Sequence, residues 1–352
     1  LHPRVRRQRQ MCIRDRFDFD LSKSKLRILD AGAGSGILSV AVIDKLVNDG
    51  YKGEIHLTCY ETDEQVLSLL KTNLDLIRSK YGVYYEIIQA NYITSQTFDN
   101  GSLFDDKNKV YDYIIGNPPY LKISKDANEA NMMPSVCYGA PNLYFLFWAM
   151  GVHNLKHDAE LVYIVPRSWT SGAYFKRFRQ YLFANCVITD MHLFESRDKV
   201  FDRESVLQET IIIKVKKTTE RPNLINITSS STSTFEDIVK FSVPYGTIVA
   251  QNQFVYLATN EKDVKVLNQI NHFETTLPDI NMRMQTGIVV DFRTKEVLRN
   301  QLEDDAYPLF YSQHIKGGRV IWPLGKEGEV IKTNRKGYLQ ENSDFLMIKR
   351  FT

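Results

Sequence analysis

Asn117-Pro118-Pro119-Tyr120 follows directly on the apolar run Tyr113-Ile114-Ile115-Gly116. The tetrapeptide sets two oxygen acceptors, the Asn117 side chain and the Pro118 carbonyl, beside one aromatic ring. Its two prolines fix φ, so the acceptors are held in place before any reaction rather than assembled during it. The chemistry this suits is attack by a conjugated amine, such as the exocyclic amine of adenine. That lone pair is delocalised into the ring, and accepting both amine hydrogens favours a pyramidal, nucleophilic nitrogen. Tyr120 can stack on a base taken out of a duplex. The bland alternative is a proline-stiffened loop after a strand.

A second element lies upstream, Leu26-Arg27-Ile28-Leu29-Asp30-Ala31-Gly32-Ala33-Gly34-Ser35-Gly36. An apolar run closed by an acid suits a buried parallel strand. Gly32, Gly34 and Gly36 supply positive φ and close backbone approach, and Ser35 is the expected N-cap of the helix that follows. Alone, such a turn is a weak signal: it could hold a dinucleotide or merely turn a corner. The next strand ends in Tyr60-Glu61-Thr62-Asp63, and an acid at the tip of the second strand commonly takes ribose hydroxyls. Glu61 is therefore the expected ribose ligand, although exposed acids also end strands without one. Nothing downstream supplies a hydride-transfer signature, whereas the amine loop makes chemical sense beside a methyl donor.

Periodicity predicts the elements that carry these loops. Strands are expected near 26–30, 54–61, 84–90, 111–117, 160–166, 187–194 and 207–215, and helices near 35–48, 63–80, 142–157 and 170–184. The alternation reads as a doubly wound α/β sheet. The amine loop then lies at the carboxyl end of the fourth strand, beside the first, where such sheets bind ligands.

With these pieces in order, residues 17–217 resemble the catalytic domain of type II restriction–modification DNA adenine-N6 methyltransferases of the gamma arrangement, close to the BsuBI/PstI sort. The matching pieces are 30–36, 60–63 and 112–120, then Leu161-Val162-Tyr163-Ile164-Val165-Pro166-Arg167-Ser168, 171–179, Leu193-Phe194-Glu195-Ser196-Arg197 and 206–212. The resemblance implies a Rossmann-like class I methyltransferase sheet, mostly parallel with an antiparallel last strand, and a C-terminal mixed α/β recognition domain at 218–352. It implies S-adenosyl-L-methionine as cofactor, held by Asp30, Ala31, Gly32, Gly34, Gly36, Glu61, Asn91 and Asn117. Catalysis falls to Asn117, Pro118, Pro119 and Tyr120, with no covalent enzyme intermediate. Phe201 is the implied second face of a base sandwich with Tyr120, and Phe194 the runner-up. Double-stranded DNA is the implied substrate and a cognate restriction endonuclease the implied counterpart, in the bacterial cytoplasm with the nucleoid.

Two departures from the family stand out. The third strand usually ends in an Asp that contacts the cofactor adenine, and Asn91 stands there instead. A cofactor-contacting segment usually precedes the glycine strand, and residues 1–16 read unlike any such segment. They are expected to be a non-native tail outside the fold.

That exclusion reverses the charge argument. Residues 1–16 hold six arginines and one aspartate, net +5, so a chain of +3 leaves −2 for the rest. Overall basicity is then no argument for nucleic-acid binding. DNA contacts are expected from local clusters: Lys176, Arg177 and Arg179; Lys332, Arg335 and Lys336; and Tyr311, His314, Lys316, Arg319 and Trp322. Solvated faces and core aromatics are the competing readings.

The length of 352 residues favours two domains. No apolar run is long enough to span a bilayer. Cys12, Cys59, Cys137 and Cys186 show no paired spacing for zinc or disulfides, and no catalytic metal is expected. His153 and His157 are expected to complement the C-terminus of the helix starting near Asn142. Beyond Lys217 the Ser/Thr run at 228–234 reads as a loop or domain edge, and the last domain reads as cut short. Two alternatives remain open. The same tetrapeptide serves methyltransferases of a release-factor glutamine amide or of ribosomal RNA, and an inert DNA-recognition fragment would look similar.

Overall fold

Strand segments at 25–31, 54–60, 84–88, 111–116 and 155–166 line up in parallel, and those at 25–31, 111–116 and 155–166 carry the buried apolar runs expected of central parallel strands. The computed structural model describes residues 13–98, 110–194, 210–230 and 237–349. In it β1 (Lys25–Ala31), β2 (Glu54–Tyr60), β3 (Tyr84–Ile88), β4 (Tyr111–Gly116), β5 (Leu155–Pro166), β6 (Val187–Phe194), β7 (Thr210–Lys216), β8 (Leu224–Ser230) and β9 (Val239–Pro244) form one sheet. The order is β3-β2-β1-β4-β5-β7-β6-β8-β9. β7 inserts between β5 and β6, antiparallel to both, and forms with β6 the hairpin implied by the family. This is a mostly parallel α/β Rossmann-like sheet.

Side chains alternate across it. Leu161, Tyr163 and Val165 of β5 face one core layer with Ile211, Ile213 and Val215 of β7. Val162, Ile164 and Ile212 face the other. The first layer is covered by α4 (Leu143–Asn154), where residues from Tyr144 to Val152 are all buried. A helix apolar all round belongs inside a protein. The Asn142 side chain caps it by accepting from the Tyr144 N–H at 3.2 Å. The second layer lies under α1 (Ile37–Asn48) and α2 (Glu64–Tyr81). Asp63 caps α2 through the Gln65 N–H at 2.9 Å, and Leu70, Leu74 and Ile77 give it a buried stripe.

Five expectations are corrected. Residues 13–16 are not outside the fold: Ile13 is 2% exposed, and Arg16 pairs with Asp190 at 3.7 Å and donates to Thr228 Oγ1 at 2.5 Å. The sheet does not stop near Lys217, because β8 pairs in parallel with the outer edge of β6. Otherwise that edge would present unpaired backbone groups. Thr228, Ser229 and Ser230 are therefore strand, and their hydroxyls are paired: Thr228 and Ser230 with His192, Ser229 with the Thr259 carbonyl. The helix expected over 170–184 is two 3-10 turns, Arg167–Thr170 and Ala173–Phe175, followed by α5 (Lys176–Asn185). A Cβ on Gly172 would come 2.7 Å from the Ser168 carbonyl oxygen, so the turn needs glycine. Finally, α4 ends at Asn154, which leaves His153 in its last turn and puts His157 in β5, paired with Asp158 at 2.8 Å.

A charge cluster around the buried Lys214 anchors the amino-terminal segment. Lys214 of β7, 2% exposed, reaches Asp18 at 2.5 Å, Glu160 at 3.2 Å and Asp190 at 3.7 Å. After β9, α3 (Asn128–Met132) apart, the remaining helices α6 (Tyr245–Ile248) and α7 (Glu261–Asn271) belong to the same unit, which runs to His272.

Phe273 begins a second unit. Among its described residues, β14 (Val330–Lys332) lies between β10 (Leu298–Arg299) and β11 (Ala306–Pro308). β12 (Ile315–Lys316) and β13 (Arg319–Val320) make a hairpin turned by Gly317 and Gly318 at positive φ. No helix among the described residues is long and apolar enough to cross a membrane.

Candidate active site

β1 and β4 are neighbours with Asp30 opposite Ile115, so the glycine turn and the amine loop leave adjacent carboxyl ends. The strand order reverses here, with β2 and β3 on one side and β5 on the other. Parallel sheets open a crevice at such a point.

The glycine turn is held from below by β2. Gly32 and Ala33 N–H both donate to the Tyr60 carbonyl at 2.9 Å. Gly32, Gly34 and Gly36 take φ of 79°, 54° and 74°, all left-handed. A Cβ on Gly36 would come 2.6 Å from Leu70 Cδ1, whereas one on Gly34 would meet open space. Gly36, not Ser35, occupies the N-cap of α1, with no side-chain cap; the Ser35 carbonyl instead accepts from Asn73 at 2.8 Å. The Glu61 carboxylate spans both turns, accepting from Gly34 N–H at 2.7 Å, Thr62 N–H at 2.7 Å and Asp63 N–H at 2.9 Å. A carboxylate has about four lone-pair sites, so one remains for a ligand hydroxyl.

Asp30 and Ala31 are buried at the end of β1. Asp30 turns its side chain into the fold and accepts from Ser39 of α1 at 2.7 Å, while its Oδ1 has no partner. Burial raises its carboxyl to about 7; the Ser39 hydrogen bond opposes this and the Glu61 charge adds to it. A side chain expected to meet the cofactor thus braces α1 instead. Asn91, just beyond β3, accepts from the Ile93 and Thr94 N–H groups at 3.0 and 3.1 Å and donates to Glu129 at 2.8 Å. Glu129, on α3, was not read from sequence; only its distance along the chain hid it.

Asn117 and Pro119 are exposed, Pro118 is buried and Tyr120 half-buried. Tyr120 Oη lies 2.7 Å from Asn117 Oδ1 and 2.9 Å from the Ile164 carbonyl oxygen of β5. Its ring meets Tyr144 of α4 edge-on at 6.2 Å. Downstream, the Leu121 carbonyl accepts from Leu143 N–H at 2.8 Å, and Ile123 N–H donates to the Pro141 carbonyl at 2.9 Å. The loop is therefore pinned on both sides. Phe201 lies outside the described residues, while Phe194 packs edge-on to His192 at 4.6 Å.

Among the expected DNA contacts, Lys176 and Arg177 are exposed on α5, and Arg177 also donates to the Cys137 carbonyl at 3.0 Å. Arg179 is a correction. It is 2% exposed and donates to the Trp169 and Gly172 carbonyls at 2.8 and 2.9 Å, so no phosphate can reach it. Lys316 and Arg319 face each other, exposed, on the β12–β13 hairpin of the second unit. His314 is fully buried against Glu329 at 3.1 Å and cannot face DNA, and Trp322 donates to the Glu329 carbonyl at 3.1 Å. Tyr311 donates to the Gly328 carbonyl at 3.0 Å. Lys332 pairs with Glu303 at 3.2 Å and Arg335 donates to Tyr338 at 3.3 Å, while Lys336 starts a 3-10 turn.

Residues 40–201 match the family described as Eco57I restriction-modification methylase. The type II methyltransferase M.PstI of Providencia stuartii is 32% identical over 336 residues, covering 92% of this chain and 66% of that protein. M.BsuBI of Bacillus subtilis is 32% identical over 336 residues, covering 93% and 66%. The chain thus spans a little under two thirds of the length of these relatives. The fold is also that of the type IIG restriction endonuclease BpuSI, with a TM-score of 0.52 at 16% identity over 72% of this chain and 31% of that one. By these likenesses, on the site just described, the chain belongs to the type II restriction–modification methyltransferases of the M.PstI and M.BsuBI kind.

Proposed function

We propose that this chain carries the catalytic core of a site-specific DNA adenine-N6 methyltransferase of a restriction–modification system. The observation that carries the reading is the placing of two rigid loops on adjacent strand ends, the glycine turn on β1 and Asn117 to Tyr120 on β4. S-adenosyl-L-methionine, when bound, would supply an electrophilic methyl group for direct transfer.

The residues present fit that cofactor. The open face of Gly34, the spare lone pair of Glu61 and the helix start at Gly36 make a cradle for its polar groups. Gly32 and Ala31 form the floor, and Asp30 supports it through Ser39. Asn91 would contact an adenine by exchanging one of its present bonds. Asn117 Oδ1 and the Pro118 carbonyl would accept the two hydrogens of the target amine and favour its pyramidal form. Both sit on a proline-fixed backbone, so little reorganisation is required. Tyr120 would stack on the flipped adenine, and Phe201 on its other face. Lys176 and Arg177, with Lys316 and Arg319 on the second unit, are the proposed phosphate contacts. Duplex DNA is the proposed substrate, a nuclease of the same specificity the proposed counterpart, and the bacterial cytoplasm the proposed place of action.

The test is incubation with methyl-labelled cofactor and a panel of duplex DNA, ribosomal RNA and release factor. Label on DNA is expected. Label confined to RNA or protein would contradict the reading.

A further inference from the structure

A cavity opens beyond the end of β5, linked to the amine loop through Ser168 and Tyr144. β5 ends at Pro166, and the 3-10 turn after it faces residues 254–257, with Val255 N–H donating to the Thr170 carbonyl at 2.9 Å. Between the two segments lies a cavity of about 400 Å³ lined by Arg167, Ser168, Ser171, Phe254, Tyr256 and Leu257. One wall carries a guanidinium and hydroxyls; the other is aromatic and apolar.

The walls are built rather than incidental. The buried Arg179 ties the first wall together through the Trp169 and Gly172 carbonyls. Its guanidinium also lies 5.0 Å from the centre of the Phe254 ring and so fixes the second. The link to the amine loop is equally direct. Ser168 Oγ is 3.1 Å from the Tyr144 hydroxyl, and the Tyr144 ring is edge-on to Tyr120. Tyr120 in turn reaches the Ile164 carbonyl, two residues before the end of β5.

A cationic, hydroxyl-bearing wall opposite a flat aromatic one matches a nucleotide, with phosphate on the first and base on the second. The volume falls within the usual range for small-ligand sites, roughly 300–1,000 Å³. We infer that this cavity holds the nucleotide next to the target adenine in the same strand, its base on Tyr256 and its phosphate on Ser171 and Arg167. The inference rests on the adenine reading above and deepens it, since a filled neighbour pocket fixes the strand while the target base is out.

The test uses a duplex built on a site the protein methylates in phage lambda DNA, with a tetrahydrofuran abasic unit placed on either side of the adenine in turn. Removing one of the two bases should lower kcat/KM of the parent by about tenfold to a hundredfold, the size of one base–aromatic stack. Tyr256→Ala should lose a similar factor on the intact duplex and nothing further on that abasic one. Ser171→Ala, at an exposed hydroxyl, should raise KM with kcat and melting temperature kept. If Tyr256→Ala melts early, Tyr256→Leu serves in its place. Parent-like rates in the Tyr256 variant, or losses that multiply with the abasic unit, would overturn this inference alone. A parent that labels no DNA would overturn the adenine reading and this inference with it.

Discussion

The Tyr120 hydroxyl lies 2.7 Å from Asn117 Oδ1, the oxygen proposed to take a hydrogen of the target amine. The same hydroxyl lies 2.9 Å from the Ile164 carbonyl oxygen. One proton serves two acceptors, so the hydroxyl can hold Asn117 in place and then turn to Ile164 when an amine arrives.

This relationship separates ring from hydroxyl. Tyr120→Phe should slow single-turnover methyl transfer by about threefold to tenfold, the worth of one neutral hydrogen bond. Tyr120→Ala should lose a further tenfold to hundredfold, roughly, because stacking goes as well. Equal losses in the two variants would remove the ring from the proposed role.

Arg179 offers a test of burial against charge. Arg179→Met should destabilise the fold by about 1–3 kcal/mol in urea unfolding, because the Trp169 and Gly172 carbonyls lose their donor. The salt dependence of DNA binding should keep its slope. A phosphate contact would instead cut that slope by about one, which Lys176→Ala is expected to do.

The main elements were legible because their signals are local. The run ending in Asp30, the three glycines and the proline-stiffened loop after β4 each declare a strand and its turn within a few residues, and Asp63 caps α2 two positions away. What was not legible depends on distant partners. Arg179 sits in a run with Lys176 and Arg177, and its burial follows from a face shared with Phe178 and Leu182 under a turn fixed by Gly172. The hydroxyls of Thr228 and Ser230 read as a loop because their partner, His192, is 36 and 38 positions away. Asp30 shows the same limit at the site itself, where position on the motif says nothing of which way a carboxylate turns.

Asp30 gives a pH test with a defined sign. Its folded carboxyl is raised by burial to about 7, against about 3.9 in an unfolded chain. Between those values the native state holds a proton that the unfolded state has lost, so stability falls as pH rises across that window. Asp30→Asn removes the group. Its urea midpoint relative to the parent should therefore climb from about pH 4 to about pH 7 and level off above. Parallel curves for the two proteins would contradict the burial assigned to this carboxylate.

The most direct measurement is nucleoside analysis of phage lambda DNA after reaction with methyl-labelled S-adenosyl-L-methionine, using the parent and Asn117→Ala side by side. The expected result is label in N6-methyladenine for the parent and a loss of about a hundredfold to a thousandfold in the variant, typical of removing one pre-organised polar group at the reacting centre. Cofactor affinity should change far less than the rate. Label in methylcytosine, or an Asn117→Ala variant that methylates at the parent rate, would contradict the assignment of this loop.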